Sequence, residues 1–251
     1  RKHESKTRTS LLAQQLRLSI TTPVRIKIKM KIIFDYNKER DIWCLLNYGK
    51  SSHNSNESTS VYLELIKNYG ENPDTDSISN FIEKYLKEKN YDVLTYLADC
   101  QSDFGLINEE FNVIAQKIFG VALKDDITAY LTINNRCPYN IKERWFYVSM
   151  SKKYSVRPVI MHELWHFYTW YRFGIQEQDK IGGQKYNDLK ESLTVLLNIE
   201  CKHLLPERIE DRGYPQHQKI RAEILRLWKE NPDISYVWDN SVVFMNSIDE
   251  K

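Results

Sequence analysis

The sequence predicts an α+β fold, and three observations carry that expectation. Apolar residues recur at helical spacing through residues 61–120 and again through 155–230. Two short runs between them, 127–133 and 145–150, are rich in β-branched and aromatic residues and read as strands. The chain has 251 residues, 41% of them hydrophobic and 28% charged. That composition is ordinary for a folded globular protein, and a chain of this length buries roughly 70–75% of the surface its unfolded form exposes.

In chain order, a strand at 31–36 precedes a helix at 39–48 that carries Ile42, Trp43, Leu45 and Leu46. Residues 51–60, rich in Ser and Asn, form a loop. Helices follow at 61–68, 77–89, 91–100 and 108–119, with Ser77 and Asn108 as N-caps. Phe81 and Tyr85 alternate with Glu83, Lys84 and Lys87, the pattern of a helix laid over a core. Cys137, Pro138, Tyr139 and Asn140 turn the chain between the two strands. A helix then runs from a cap at Ser155, with Pro158 in its first turn, to Phe173, and Gly174 ends it. Gly182 and Gly183 mark a loop before a helix over 188–204, which stops short of Pro206, and Pro215 opens a last helix that reaches Glu230. No internal repeat is present.

The formal net charge of +2 hides two unlike pieces. Residues 1–31 hold nine Lys and Arg against the single acid Glu4, leaving 27 basic and 33 acidic side chains, a net −6, for residues 32–251. The basic segment fits a transit peptide, a nucleic-acid-binding arm, or a stretch upstream of a working chain that starts at Met30. The last is the expectation, with 1–29 a tail outside the fold, although Val24, Ile26, Ile28, Met30 and Ile32 alternate with basic residues as a half-buried strand would. The acidic body gives nucleic-acid binding no electrostatic support. No window of about 18 apolar residues exists, so no membrane span is expected. Cys44, Cys100, Cys137 and Cys201 stand far apart without paired spacing, which suits reduced thiols and a cytoplasmic protein.

The chemistry gathers at His162-Glu163-Leu164-Trp165-His166, a His-Glu-x-x-His pattern inside a predicted helix. Residues four apart lie about 40° apart around a helix, so both imidazoles can meet one cation while Glu163 reaches a water beside it. A hydrolytic zinc site takes three protein ligands and a water, and a carboxylate next to that water can take its proton and return it to a leaving amine. A metzincin would carry its third His at the position of Arg172 and a Gly at Thr169, and does not fit. The aromatic run Trp165, Phe167, Tyr168, Trp170 and Tyr171 reads as core packing around this helix.

Over about residues 145–201 the chain resembles the gluzincin group of zinc metallopeptidases, in which a His-Glu-x-x-His helix is followed by a second helix that donates a Glu. The resemblance implies that His162, His166 and Glu191 bind Zn2+ and that Glu163 is the general base and acid. Glu177, Asp179, Asp188 and Glu200 compete with Glu191 as third ligand. One departure stands out: where thermolysin-like members carry an Asp one turn past the ligand Glu, this chain has Val195. Support for a histidine then falls to Asp188, Thr194 or Asn198. The resemblance also places residues 145–150 as an edge strand that aligns an extended peptide, and Tyr214 or His217 as a donor to the oxyanion.

These readings divide the chain into a 1–29 tail, a mainly helical region at 30–120, and a zincin-like catalytic region at 121–251. The function expected is a cytoplasmic zinc metallopeptidase acting on a peptide or protein substrate. The alternative is a zincin-like protein that keeps zinc for binding or regulation with little general proteolysis. Glu163 argues for the enzyme, because a structural zinc site closes all four positions with protein ligands and has no use for a base.

Overall fold

The computed structural model describes residues 30–50, 57–151 and 156–249. The 1–29 tail and the Ser155 cap lie outside the described residues. The fold is mixed α and β, with a four-stranded sheet set among helices. The chain runs β1 (Ile32–Asp35), α1 (Lys38–Tyr48), α2 (Ser60–Tyr69), α3 (Thr75–Glu88), α4 (Val93–Gly105), α5 (Asn108–Phe119), β2 (Ile127–Thr132), β3 (Tyr139–Asn140), β4 (Trp145–Ser149), α6 (Arg157–Ile181), α7 (Gly183–Leu193), α8 (Leu197–Glu200), α9 (Gln218–Glu230) and α10 (Ile234–Asp249).

Short polar side chains start the N-terminal helices. Asn37 accepts from the Arg40 amide at 2.8 Å and Asp74 from the Ser77 amide at 2.7 Å. Ser77 is therefore not the cap of α3 but a first-turn residue held by Asp74. Asn108 likewise lies inside α5, after Ile107 in the cap position. Its side chain accepts from Asn112, which in turn accepts from the buried Tyr168 hydroxyl at 2.6 Å.

The sheet order is β1-β2-β4-β3. The first three strands are parallel, and β3 joins β4 antiparallel through Tyr139↔Phe146 and Asn140↔Trp145. This overturns the placement of β4 at the edge: all five of its residues are buried, and its neighbours are β2 and β3. The Cys137–Asn140 turn that the sequence predicts supplies the edge itself, through β3. Alternation along β4 separates the two faces. Phe146 packs on Phe167 of α6, while Trp145 and Tyr147 meet Trp43 of α1.

The core is densest where α6 crosses α5. Trp165 and Tyr168 lie against Phe111 and Phe119, with ring centroids 5.0–6.4 Å apart. The aromatic run of α6 is thus mostly packing, with Tyr171 alone well exposed. Gly174 interrupts α6 with φ 50° and ψ −153°, a conformation open to glycine and closed to other L-residues. The helix stops there as the sequence predicts, then resumes instead of entering a loop, so Glu177 and Asp179 are helical. Beyond Pro206 and the 3-10 turn Pro215–His217, α9 and α10 close the far side, and Trp238 of α10 stacks on Phe173 at 4.0 Å. None of the four cysteines is in a disulfide. Among the described residues no helix is long and apolar enough to cross a membrane.

Asp41 ties α1 to the end of β2. Fully buried, it accepts from the Thr132 hydroxyl at 2.5 Å and from the Ile133 amide at 3.2 Å. Burial pushes its carboxyl up to about 7 against these hydrogen bonds, from 3.8. The folded state therefore holds this proton more tightly than the unfolded chain. Its contribution is complete below pH 3.8 and declines as pH rises towards 7, by up to about 4 kcal/mol at 1.36 kcal/mol per pH unit. Urea unfolding between pH 4 and 7 is expected to show this decline in the wild type and a flatter profile in Asp41→Asn, whose side chain cannot ionise. Parallel profiles would remove Asp41 as the cause.

Candidate metal centre

Helix α6 carries His162 and His166 on one face, one turn apart, with their Nε2 atoms 3.0 Å from each other. Helix α7 brings Glu191 across them. Its Oε2 lies 3.5 Å from His162 Nε2 and its Oε1 lies 3.3 Å from His166 Nε2. The crossing is fixed by packing: Tyr186, Leu189 and Leu193 of α7 are buried, and the Trp165 indole N–H donates to the Leu193 carbonyl at 3.1 Å. The three ligand atoms lie within 4.8 Å of one another and could hold a metal ion.

The competing carboxylates have other tasks. Glu177 accepts from the Trp238 indole, Glu200 from the Trp228 indole, and Asp188 faces His217 Nε2 at 3.0 Å. Asp179, on the continuation of α6, does not join the cluster.

A residue that sequence reasoning missed orients the first histidine. Asp211 Oδ2 stands 2.6 Å from His162 Nδ1, which leaves Nε2 directed at Glu191. Asp211 is itself held from several sides. The Thr194 hydroxyl donates to its Oδ1 at 2.8 Å, Arg221 Nη1 pairs with the same oxygen at 3.0 Å, and its backbone exchanges two hydrogen bonds with Asn198. Thr194 and Asn198 thus support the histidine through Asp211, whereas Asp188 does not. Gly213 makes room for this arrangement. Its φ is 59°, and a Cβ there would stand 2.6 Å from Arg221 Nη1.

On the other side, Lys190 is 4% exposed; its Nζ lies 3.2 Å from Glu191 Oε1 and donates to the Tyr139 hydroxyl. The Tyr139 ring in turn lies 5.1 Å from the His166 ring. Edge strand, ligand helix and histidine are in this way joined through one buried ammonium.

The electrostatics follow from burial and pairing. Burial raises Glu191, but His166, His162 and Lys190 outweigh it and hold the carboxyl well below its ordinary range. Burial is likewise outweighed at Asp211, which His162, Thr194 and Arg221 hold at about 2. His162, between these two anions, is driven well above its usual value against the effect of burial, while burial lowers His166. Glu163 is pushed up to about 8, first by burial, with Glu191 and Asp211 adding to it and His162 opposing. Its Oε2 and the Nδ1 of His166 are buried without a hydrogen-bond partner.

Of the two residues available as oxyanion donors, His217 is buried and turned to Asp188. Tyr214 is 52% exposed, and its hydroxyl is raised to about 12 by burial and by the charges of Glu191 and Glu163. It keeps its proton at neutral pH and stands within the field of the site. Asp211, Arg221, Lys190 and Tyr139 were absent from the expected site. Lys190 adjoins Glu191 in sequence and could have been noticed there; the others bear no fixed spacing to the motif. No protein-family model, curated protein or solved structure matches this chain.

Proposed function

We propose that the protein is a zinc-dependent metallopeptidase of zincin-like, gluzincin type, with His162, His166 and Glu191 as ligands and Glu163 as general base and acid. The observation that carries the reading is the convergence of the three ligand atoms. Zinc bonds to imidazole nitrogen and carboxylate oxygen are 2.0–2.2 Å long, so tetrahedral ligands stand about 3.3–3.6 Å apart. The two Nε2 atoms stand 3.0 Å apart, and each faces its own oxygen of Glu191, Oε1 at 3.3 Å from His166 and Oε2 at 3.5 Å from His162, so the carboxylate meets both imidazoles at close to this spacing. Two imidazoles and a carboxylate are also a donor set that suits zinc and leaves one tetrahedral position open.

Bound there, zinc would polarise a substrate carbonyl and lower the pKa of a coordinated water from about 16 to about 7. The rest falls to the chain. Asp211 keeps His162 in the tautomer with a free Nε2 and strengthens it as a ligand. Lys190 neutralises one side of Glu191. Glu163, one residue from His162 and with a buried unpaired oxygen, accepts a proton from the attacking water and delivers it to the leaving amine. The environment that raises its proton affinity suits the second half of that task. Tyr214 offers a neutral O–H to the negative charge that develops on the carbonyl oxygen.

Protein purified without chelators is expected to carry one zinc per chain by elemental analysis, and His162→Ala and Glu191→Gln to lose it. A zinc-free wild type would sink the proposal. Glu163→Gln should keep its zinc while kcat for peptide hydrolysis drops by about 10²–10⁴; zinc retained with activity undiminished would leave zinc binding and remove the mechanism. Asp211→Asn should retain the fold and weaken zinc affinity by about 10–100-fold in competition with a chromogenic chelator. Unchanged affinity would reduce Asp211 to a packing role.

A further inference from the structure

Across the edge strand from the metal centre lies a cavity of about 570 Å3, lined by residues of α1 and of the β3–β4 hairpin, among them Glu39, Trp43, Tyr48, Glu143 and Trp145. Tyr139 borders it as well, and is the residue whose ring faces His166. The cavity and the metal centre are therefore neighbours on opposite faces of one short strand.

Among the described residues no strand pairs with the outer side of β3. In an antiparallel ladder, bonded and non-bonded pairs alternate. The Tyr147 amide donates to the Pro138 carbonyl at 2.9 Å, so the next pair, Tyr139 with Phe146, is a non-bonded one. The amide and carbonyl of Tyr139 consequently point away from β4, towards the free edge. A peptide laid there can exchange both bonds with Tyr139, and its successive side chains fall on alternate faces. One falls on the α6 face with the metal centre, and the next on the α1 face at the mouth of the cavity.

The lining indicates what that second side chain is. Trp43 is 38% exposed although it contacts the rings of Tyr48 and Trp145 at 5.5 and 5.7 Å, so aromatic surface remains available. Glu39 and Glu143 are exposed at the rim, and Glu143 is oriented by the Trp145 indole N–H at 2.7 Å. Among the described residues Arg40 is the one cation of the lining, and it already rests over the rings of Tyr130 and Trp145, 4.8 and 5.7 Å from their centroids. Aromatic faces flanked by carboxylates attract a cation, and the net −6 of residues 32–251 draws in the same sign.

We infer that this cavity receives a lysine or arginine side chain of a peptide paired with β3, and so sets specificity for a basic residue next to the one seated over the metal centre. The inference rests on the peptidase reading for its position relative to the scissile bond, and its test separates the two.

A randomised peptide library cleaved by the zinc-loaded protein and mapped by mass spectrometry should show Lys and Arg enriched about tenfold at one fixed distance from the cut. In the Glu39→Gln/Glu143→Gln double variant and in Trp43→Ala that enrichment should collapse. Cleavage without enrichment, or with enrichment that the exposed carboxylate variant does not alter, overturns the inference. A second arm measures binding to Glu163→Gln protein by tryptophan fluorescence, using one peptide with Lys, norleucine or Glu at the test position. A tenfold preference for Lys that the carboxylate changes abolish sustains the cavity even if no peptide is ever cleaved, in which case the peptidase reading alone falls. Equal binding of the three peptides overturns the cavity assignment whatever the library shows.

Discussion

Everything at the candidate centre depends on how its buried charges are matched. Glu163, Glu191 and Asp211 bring three carboxylates into a largely buried region, and a buried charge is tolerated only when it is paired or hydrogen-bonded. Lys190 answers Glu191, and Arg221 with Thr194 answers Asp211. With neutral imidazoles the group is left one negative charge in excess, and it falls on Glu163, whose Oε2 has no partner. That excess shows in two proton affinities: against the effect of burial, hydrogen bonds to Asp211 and Glu191 and the charge of Asp211 raise His162, and burial with the charges of Glu191 and Asp211 pushes Glu163 up to about 8. A divalent cation held by His162, His166 and Glu191 would supply positive charge at the same place. The ligand set and the misfit of Glu163 thus express one shortage of positive charge.

The surrounding fold serves to bring together elements distant in sequence. The histidines come from α6 and Asp211, which orients His162, from a stretch beyond α8, with Arg221 reaching it from α9 past Gly213. On the opposite side Lys190 bridges α7 to β3. Each support is anchored in packed structure: α7 through Trp165 and Leu193, Asp211 through Asn198. A constellation that must keep tenths of an ångström benefits from such anchoring, because side chains locked by a second ring of contacts lose little entropy when they bind.

How much of this was legible in the sequence varied with the range of the interaction. His162 and His166 share a helix turn, so their convergence follows from 3.6 residues per turn and could be read directly. Glu191 was reachable because it lies on the next helix, and the resemblance singled it out from four rivals, of which Glu177, Asp188 and Glu200 have other partners and Asp179 does not join the cluster. Asp211 lies 49 residues from His162 and reaches it by a chain reversal that no periodicity records. The edge strand failed for the same reason: residues 145–149 have strand composition, but composition does not say which neighbours a strand has, and the two-residue β3 is too short to show alternation. Helix α10 is a different case. Ile234, Val237, Trp238, Ser241 and Met245 repeat at plain helical spacing, yet α10 lay beyond the predicted elements because it carries none of the chemistry.

The short β3 also explains why the candidate metal centre and the proposed peptide-binding edge would act as one unit. Tyr139 gives its main chain to the free edge, its ring to His166 and its hydroxyl to Lys190. A displacement of the strand would pull on the ammonium beside Glu191 and on the face of a ligand histidine together. Such coupling needs no moving part, only a two-residue strand too short to shift without dragging Tyr139. Trp145 adds the opposite restraint, since its indole fixes Glu143 while its ring packs against α1. The strand is thus held from both faces, and the alignment of a bound peptide would be set by the same contacts that set the ligand geometry.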